Sequence, residues 1–214
     1  MRKSIKIALV TAGLVAAGSA GSYVLLHSSE AAPALAALPI GKAPPSFRGN
    51  YADGRVFSLA DFRGKTVVLE WNNPGCPSVK AHYESDNMQK TQAAAAADGA
   101  VWLTVNSGAE GKQGHMTRAE ANAFAAKQQS RGTAYLLDPN GVVGRAYGAT
   151  ATPHMYVIDA AGKLVYRGGI DDKPSGEIEG ARNHVLAALS EMKAGKSVSV
   201  PTSRPYGCNV KYKA

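Results

Sequence analysis

Hydrophobic and polar positions along this chain fall into blocks whose period changes, and the changes mark the elements. From Ala43 to Lys65 the stretch APPSFRGNYADGRVFSLADFRGK predicts a short β-hairpin turning at Asp53-Gly54, then a helical turn over Ser58 to Phe62. Thr66 to Trp71 is an apolar run of strand-forming residues broken by one acid, Glu70. Asn72-Asn73-Pro74-Gly75 makes a turn, and the pattern is then helical from Pro77 to about Ala97, where Asp98-Gly99 supplies a stop. Ala100 to Asn106 predicts a strand and Ser107 to Met116 a polar loop. Thr117-Arg118-Ala119-Glu120 predicts a capping box that opens a helix reaching about Gln129. Thr133 to Leu137 reads as strand, and Asp138-Pro139-Asn140-Gly141 as a strong turn. The strands HMYVID and LVYRGG enclose a turn at Ala160-Ala161-Gly162, and a last helix is expected over about Ile178 to Ala194. The tail beyond it alternates apolar residues at Tyr206, Cys208, Val210 and Tyr212, which predicts that it packs on the domain.

Cys76 stands where the strand gives way to the helix, at the N-cap or first turn, with Pro77 just inside. The free backbone N–H groups and the positive end of the helix favour an anion there. Such a place lowers a thiol pKa from about 8.5 toward the roughly 3.5–7.5 range of reactive cysteines. The competing reading is a buried, inert cysteine.

The chain has 214 residues, of which 45% are hydrophobic, enough for one ordinary core. Arg2, Lys3 and Lys6 precede an uncharged run from Ile7 to Leu26, the pattern of an export segment. Small-residue cleavage sites end at Ala20 and Ala34. The run is also of bilayer-spanning length, so a signal peptide and an uncleaved anchor both stay open over residues 1–34. Either puts the domain outside the cytoplasm, periplasmic or otherwise extracytoplasmic. The expected organisation is that segment, a linker over residues 35–42, a domain over 43–195 and a tail over 196–214. The formal net charge of +8 comes without any Lys/Arg run interleaved with aromatics, which argues against a nucleic-acid partner.

The segment VVLEWNNPGCPSVKAHY, from Val67 to Tyr83, resembles the active-site strand, turn and helix of the thioredoxin superfamily, and within it the peroxiredoxin-like, redoxin-domain proteins. The resemblance runs from about Ala43 to Lys213. It implies an α/β, thioredoxin-like sandwich: a central mixed sheet flanked by helices, with an N-terminal β-hairpin. The usual motif of the superfamily is C-x-x-C, whereas Cys76-Pro77-Ser78-Val79 replaces the second cysteine with valine. Peroxiredoxins place their reactive cysteine where Val79 stands, with Thr or Ser where Cys76 stands. Neither parent mechanism therefore transfers whole.

By the same resemblance Pro153, in Ala151-Thr152-Pro153-His154, matches a cis-proline facing the active cysteine, and Thr152 a residue offering backbone groups to an extended substrate. Trp71 and Pro77 join the substrate-binding set. Glu70 matches a buried carboxylate that moves protons, a role that burial would suit by raising its pKa. The other reading of Glu70 is an edge acid paired with Lys80 or Arg145. The ending with Gly207-Cys208 is similar to the close of the peroxiredoxin-like chains, and an exported chain with two cysteines usually oxidises them. Closing a ~130-residue loop would stabilise by about 4–5 kcal/mol, so a structural disulfide also stays open.

Two functions follow. One is an extracytoplasmic thiol–disulfide oxidoreductase or peroxiredoxin-like antioxidant protein, with Cys76 as nucleophile and Cys208 as resolving thiol. It would act on a thiol or disulfide protein or a small oxidant, without a cofactor, and with an electron donor or acceptor left open. The other is a non-catalytic binding module, for instance a copper carrier, clamped by a Cys76–Cys208 disulfide. His82, Met88, His115-Met116 and His154-Met155 offer soft donors, but at no ligand spacing, so no metal site is expected.

Overall fold

A computed structural model describes residues 37–174 and 178–214 of the chain. The apolar N-terminal run and both sites for its removal lie outside the described residues.

Strands β1 (Arg48–Tyr51) and β2 (Val56–Ser58) form the leading hairpin, with Asn50 opposite Val56 and Gly54 at φ 89° in the turn. Ser58 caps a one-turn 3-10 helix at Leu59–Phe62: its hydroxyl accepts from the Ala60 amide, and the Asp61 carboxylate accepts from the Ser58 amide. Three strands then build the centre. β3 (Val67–Trp71) lies parallel to β4 (Val101–Asn106), which lies parallel to β5 (Ala134–Leu137). A short strand β6 (Ala151–Thr152) precedes β7 (His154–Ile158) and β8 (Leu164–Gly168), and β7 runs antiparallel to β3. The sheet has seven strands in the order β2-β1-β5-β4-β3-β7-β8.

Every residue of β3, β4 and β7 is buried, as strands covered on both faces must be. The two-residue period of β3 sends Val67, Leu69 and Trp71 into one core, with Tyr147, Tyr156 and Leu136. Val68 enters the other, with Cys76, Val79, Tyr83, Met88 and Met155. The covering helices are α1 (Pro77–Glu84), α2 (Asn87–Ala97), α3 (Arg118–Lys127), α4 (Val142–Tyr147) and α5 (His184–Lys193). The capping box at Thr117 and Glu120 forms as the spacing predicts.

Three elements differ from the sequence expectation. The single helix from Pro77 to Ala97 is two, broken at Ser85-Asp86, where Asp86 is left-handed at φ 61° and the Ser85 hydroxyl bonds the Ala81 carbonyl at 2.7 Å. Ser, Asp and Asn in succession compete for backbone partners and favour a turn over a helix interior. The last helix begins at His184 instead of Ile178. Gly180 sits at φ 66°, and Asn183 provides the cap by accepting from the Leu186 amide at 2.9 Å. α4 was not expected at all. Its six residues are too few to show a helical period, and Asp138 holds its start by accepting from the Val143 and Gly144 amides.

Two peripheral segments are tied down. Within the stretch read as a linker, Leu38 and Ile40 pack on the first core, and Gly41 and Lys42 bond the backbone of Leu164. The tail returns across the domain as β9 (Cys208–Asn209), antiparallel to β6, with Cys208 opposite Thr152.

Candidate active site

Cys76 is the N-cap of α1, with Pro77 at the first helical position and Cys76 N–H on the Asn73 carbonyl at 3.0 Å. Asn73 shapes the approach: its side chain accepts from the Gly75 amide at 2.9 Å and donates to Gln113 at 2.9 Å. Cys76 is fully buried, at 0% exposure. Its Sγ lies 3.1 Å from the Thr152 carbonyl and receives the Cys208 amide at 3.3 Å. Thr152 in turn donates its hydroxyl to the Cys208 carbonyl at 3.3 Å, and the Thr152–Pro153 peptide is cis. The structure therefore brings Cys76, Pro77, Thr152, Pro153 and Cys208 together. Both cysteines are free thiols.

The two thiols differ in acidity. Burial pushes Cys76 up, but hydrogen bonds from Cys208 and Thr152 side chains and from the Val79 and Cys208 amides outweigh it, so its pKa lies below the ordinary thiol value. Burial, and then the hydrogen bond and charge of Cys76, push Cys208 up to about 11. At neutral pH any thiolate of the pair resides on Cys76.

Glu70, in β3, is buried and held by five side chains. It accepts from Asn72 Nδ2 and Trp102 Nε1 at 2.9 Å, Tyr83 Oη at 3.0 Å, and Gln92 and Thr104 at 3.3 Å. Neither Lys80 nor Arg145 is among its partners. Burial raises its pKa against the pull of these donors. Tyr135 donates to Asn72 Oδ1 at 2.9 Å, which fixes the Asn72 amide with its N–H₂ toward Glu70. Glu70 makes no hydrogen bond to either cysteine. Tyr83, on α1, bonds Glu70 and shares a core with Cys76 and Val79. Trp71 points the other way: its indole donates to Ser107 at 3.1 Å, and its ring packs on Tyr147 and Tyr156.

A comparison with family models matches Redoxin over residues 39–185. The chain belongs to the redoxin family. None of the curated proteins compared with this redoxin matches it. Among solved structures it is similar to a hypothetical protein of Sinorhizobium meliloti, at 26% identity and a TM-score of 0.74, over 84% of this chain and 97% of that one. It is likewise similar to an uncharacterized conserved protein of Geobacillus kaustophilus, at 26% identity and 0.73, over 82% and 93%. A thioredoxin domain of a thiol-disulfide oxidoreductase from Bacteroides vulgatus shares the fold at 21% identity and 0.53, over 73% and 99%. The thioredoxin-like sandwich read from the sequence is thus the fold of this redoxin.

The sequence marked His82 only as a soft donor and Tyr206 only as an apolar tail residue, and it did not mark Asn87 or Asp171. His82, on α1, meets the tail through Tyr206, with Nε2 and Oη 2.8 Å apart, and Tyr206 donates to Asp171 Oδ1 at 2.6 Å. Asn87 Nδ2 lies 2.8 Å from His82 Nδ1. The three bonds share one direction if His82 is neutral with its proton on Nε2, and burial does lower its pKa despite the attraction of Asp171. The apolar alternation of the tail was the one signal for Tyr206; nothing in the local sequence marks Asp171. Among the described residues no three His, Cys, Asp or Glu side chains gather as a metal site would require.

Proposed function

We propose that this redoxin is an extracytoplasmic thiol–disulfide oxidoreductase whose Cys76 and Cys208 cycle between dithiol and disulfide. The observation that carries the reading is the seating of Cys208 opposite Thr152, with its amide 3.3 Å from Cys76 Sγ. In oxidation Cys76 is the nucleophile: its thiolate attacks a disulfide or a small oxidant such as a peroxide, and Cys208 displaces the product to close the intramolecular bond. Val79 leaves α1 without a second thiol, and the tail supplies one. Glu70 serves as the buried proton-holding group behind α1, acting through Tyr83. Export follows from the basic, then apolar, N-terminus.

Non-reducing peptide mapping after oxidation should find Cys76 linked to Cys208, and Cys208→Ser should accumulate mixed disulfides or sulfenic acid at Cys76. Thiols that stay free under oxidising conditions would remove the reading. The clamp alternative is separated by the reduction potential of the pair: a structural disulfide lies below about −300 mV, an exchange-active one above it.

A further inference from the structure

The two sulfurs are not equally accessible, and the inequality is built by the tail. Cys76 is at 0% exposure, while Cys208 is partly exposed. The lid over Cys76 is anchored on both sides of Cys208. Before it, Ser203 Oγ accepts from the Gly169 amide at 3.0 Å, and Tyr206 bonds Asp171 and His82. After it, Val210 N–H donates to the Thr150 carbonyl at 3.1 Å, Ala109 N–H to the Lys211 carbonyl at 2.9 Å, and Tyr212 Oη to the Ala149 carbonyl at 2.7 Å. The backbone of Thr152, where an extended partner would have to pair to reach Cys76, is already paired with Cys208.

We propose that, in the reducing half of the cycle, the external thiol attacks Cys208 and not Cys76, so that the tail cysteine carries the mixed disulfide and the helix cysteine is the leaving group. This assignment rests on the proposed Cys76–Cys208 disulfide and adds the order in which its sulfurs react. Displacement at sulfur runs in line with the bond that breaks. Attack on Cys76 would have to reach a sulfur at 0% exposure, packed in one core with Val79, Tyr83 and Met155. Attack on Cys208 meets a residue that is partly exposed. The acidity of the pair agrees, since the sulfur with the lower pKa leaves faster.

The electrons balance with a dithiol partner. A partner thiolate bonds to Cys208 Sγ, the Cys76–Cys208 bond breaks, and its electron pair stays on Cys76 as a thiolate. The partner's second thiolate then attacks its own sulfur in the mixed disulfide. That closes the partner's disulfide and releases Cys208, which takes up a proton. The chain gains two electrons and the partner loses two. A pair of small monothiols reaches the same end in two separate attacks.

The experiment uses the oxidised wild-type chain. It is mixed briefly with glutathione in one arm, and in the other with a thioredoxin whose second active-site cysteine is serine. Both are quenched with N-ethylmaleimide and mapped by peptide mass. The expected product carries the incoming thiol on Cys208 and the alkyl group on Cys76, exceeding the reverse product by about tenfold or more. Trapping in the glutathione arm identifies a small-thiol donor, and trapping in the protein arm a protein dithiol; Cys208 is the target in each. The incoming thiol on Cys76 with Cys208 alkylated would overturn the assignment while leaving the two-cysteine cycle standing. A chain that never forms the Cys76–Cys208 bond fails at the oxidation step, before any thiol is added, and overturns both.

Discussion

His82 on α1 and Tyr206 on the tail meet at 2.8 Å, and the Tyr206 hydroxyl passes the contact on to Asp171. The pair joins a helix and a tail that are far apart in sequence and holds the tail beside Cys76. Tyr206→Phe strands His82 Nε2 and removes a donor from Asp171 Oδ1, both buried. It should cost about 1–3 kcal/mol. Alkylation of Cys76 by iodoacetamide at fixed pH should speed up in this variant, because the strap opens more often. An unchanged rate would show that the clasp does not hold the tail.

Gly207 is the tightest point of the strap. Its φ is 98°, and a Cβ there would come to 2.1 Å from the Thr152 carbonyl oxygen and 3.1 Å from Ser78. Gly207→Ala should therefore lift Cys208 away while leaving the core folded, at a cost of about 1–3 kcal/mol in the docked state. Formation of the Cys76–Cys208 bond on oxidation, followed by non-reducing gel shift, should slow by roughly tenfold. Circular dichroism should stay unchanged. Oxidation at the wild-type rate would contradict the close approach.

Cys76 has its pKa depressed in the fold, so its contribution to the reduced native state is present above the unfolded thiol value of about 8.5. That contribution is lost as pH falls through the native value. Cys208, raised to about 11, has the opposite sign: its contribution is present below the unfolded value and lost as pH rises through about 11. Thiolate absorbance at 240 nm should give a first midpoint below about 8.5, owing to Cys76. Cys208→Ala removes a donor to the Cys76 sulfur and should raise that midpoint. A first midpoint at or above the free-cysteine value would exclude an acidified Cys76.

Glu70 gathers five donors, so Glu70→Ala leaves several buried groups without an acceptor and should destabilise by about 3 kcal/mol or more. Its raised pKa sets the pH dependence. The contribution of its protonated form is complete below about 4.3 and is lost as pH rises through the native value. Urea unfolding of wild type and Glu70→Gln across pH should show the neutral variant gaining relative to wild type as pH rises. Parallel curves would mean that Glu70 titrates alike in both states.

Strand β3, the Pro-Gly turn and the cysteine at the helix start were legible in Val67 to Tyr83, because each rests on local preferences: β-branched residues, a turn tetrapeptide, and proline at the first helical position. The leading hairpin and the capping box at Thr117 and Glu120 were legible for the same reason. The break at Ser85-Asp86 and the start at His184 were not. Apolar periodicity runs through both places, and only the left-handed residues Asp86 and Gly180 mark the interruption. Trp71 and Glu70 show a different limit. The sequence shows two neighbours in one strand, and the pleat sends them to opposite faces: Trp71 to Tyr147 and Tyr156, Glu70 to Tyr83 and Trp102.

By itself the sequence determined where the two thiols stand in the chain: one at a helix start, the second in an apolar tail, with valine where a local partner would stand. Local rules suffice for that, since they concern a residue and its near neighbours in the chain. The tertiary structure alone decided that Cys208 pairs with Thr152 over Cys76, that His82 and Asp171 clasp Tyr206, and that Cys76 is the more covered sulfur of the two. Those relations join residues dozens to more than a hundred positions apart, and burial and hydrogen-bond partners exist only once the sheet has brought them together.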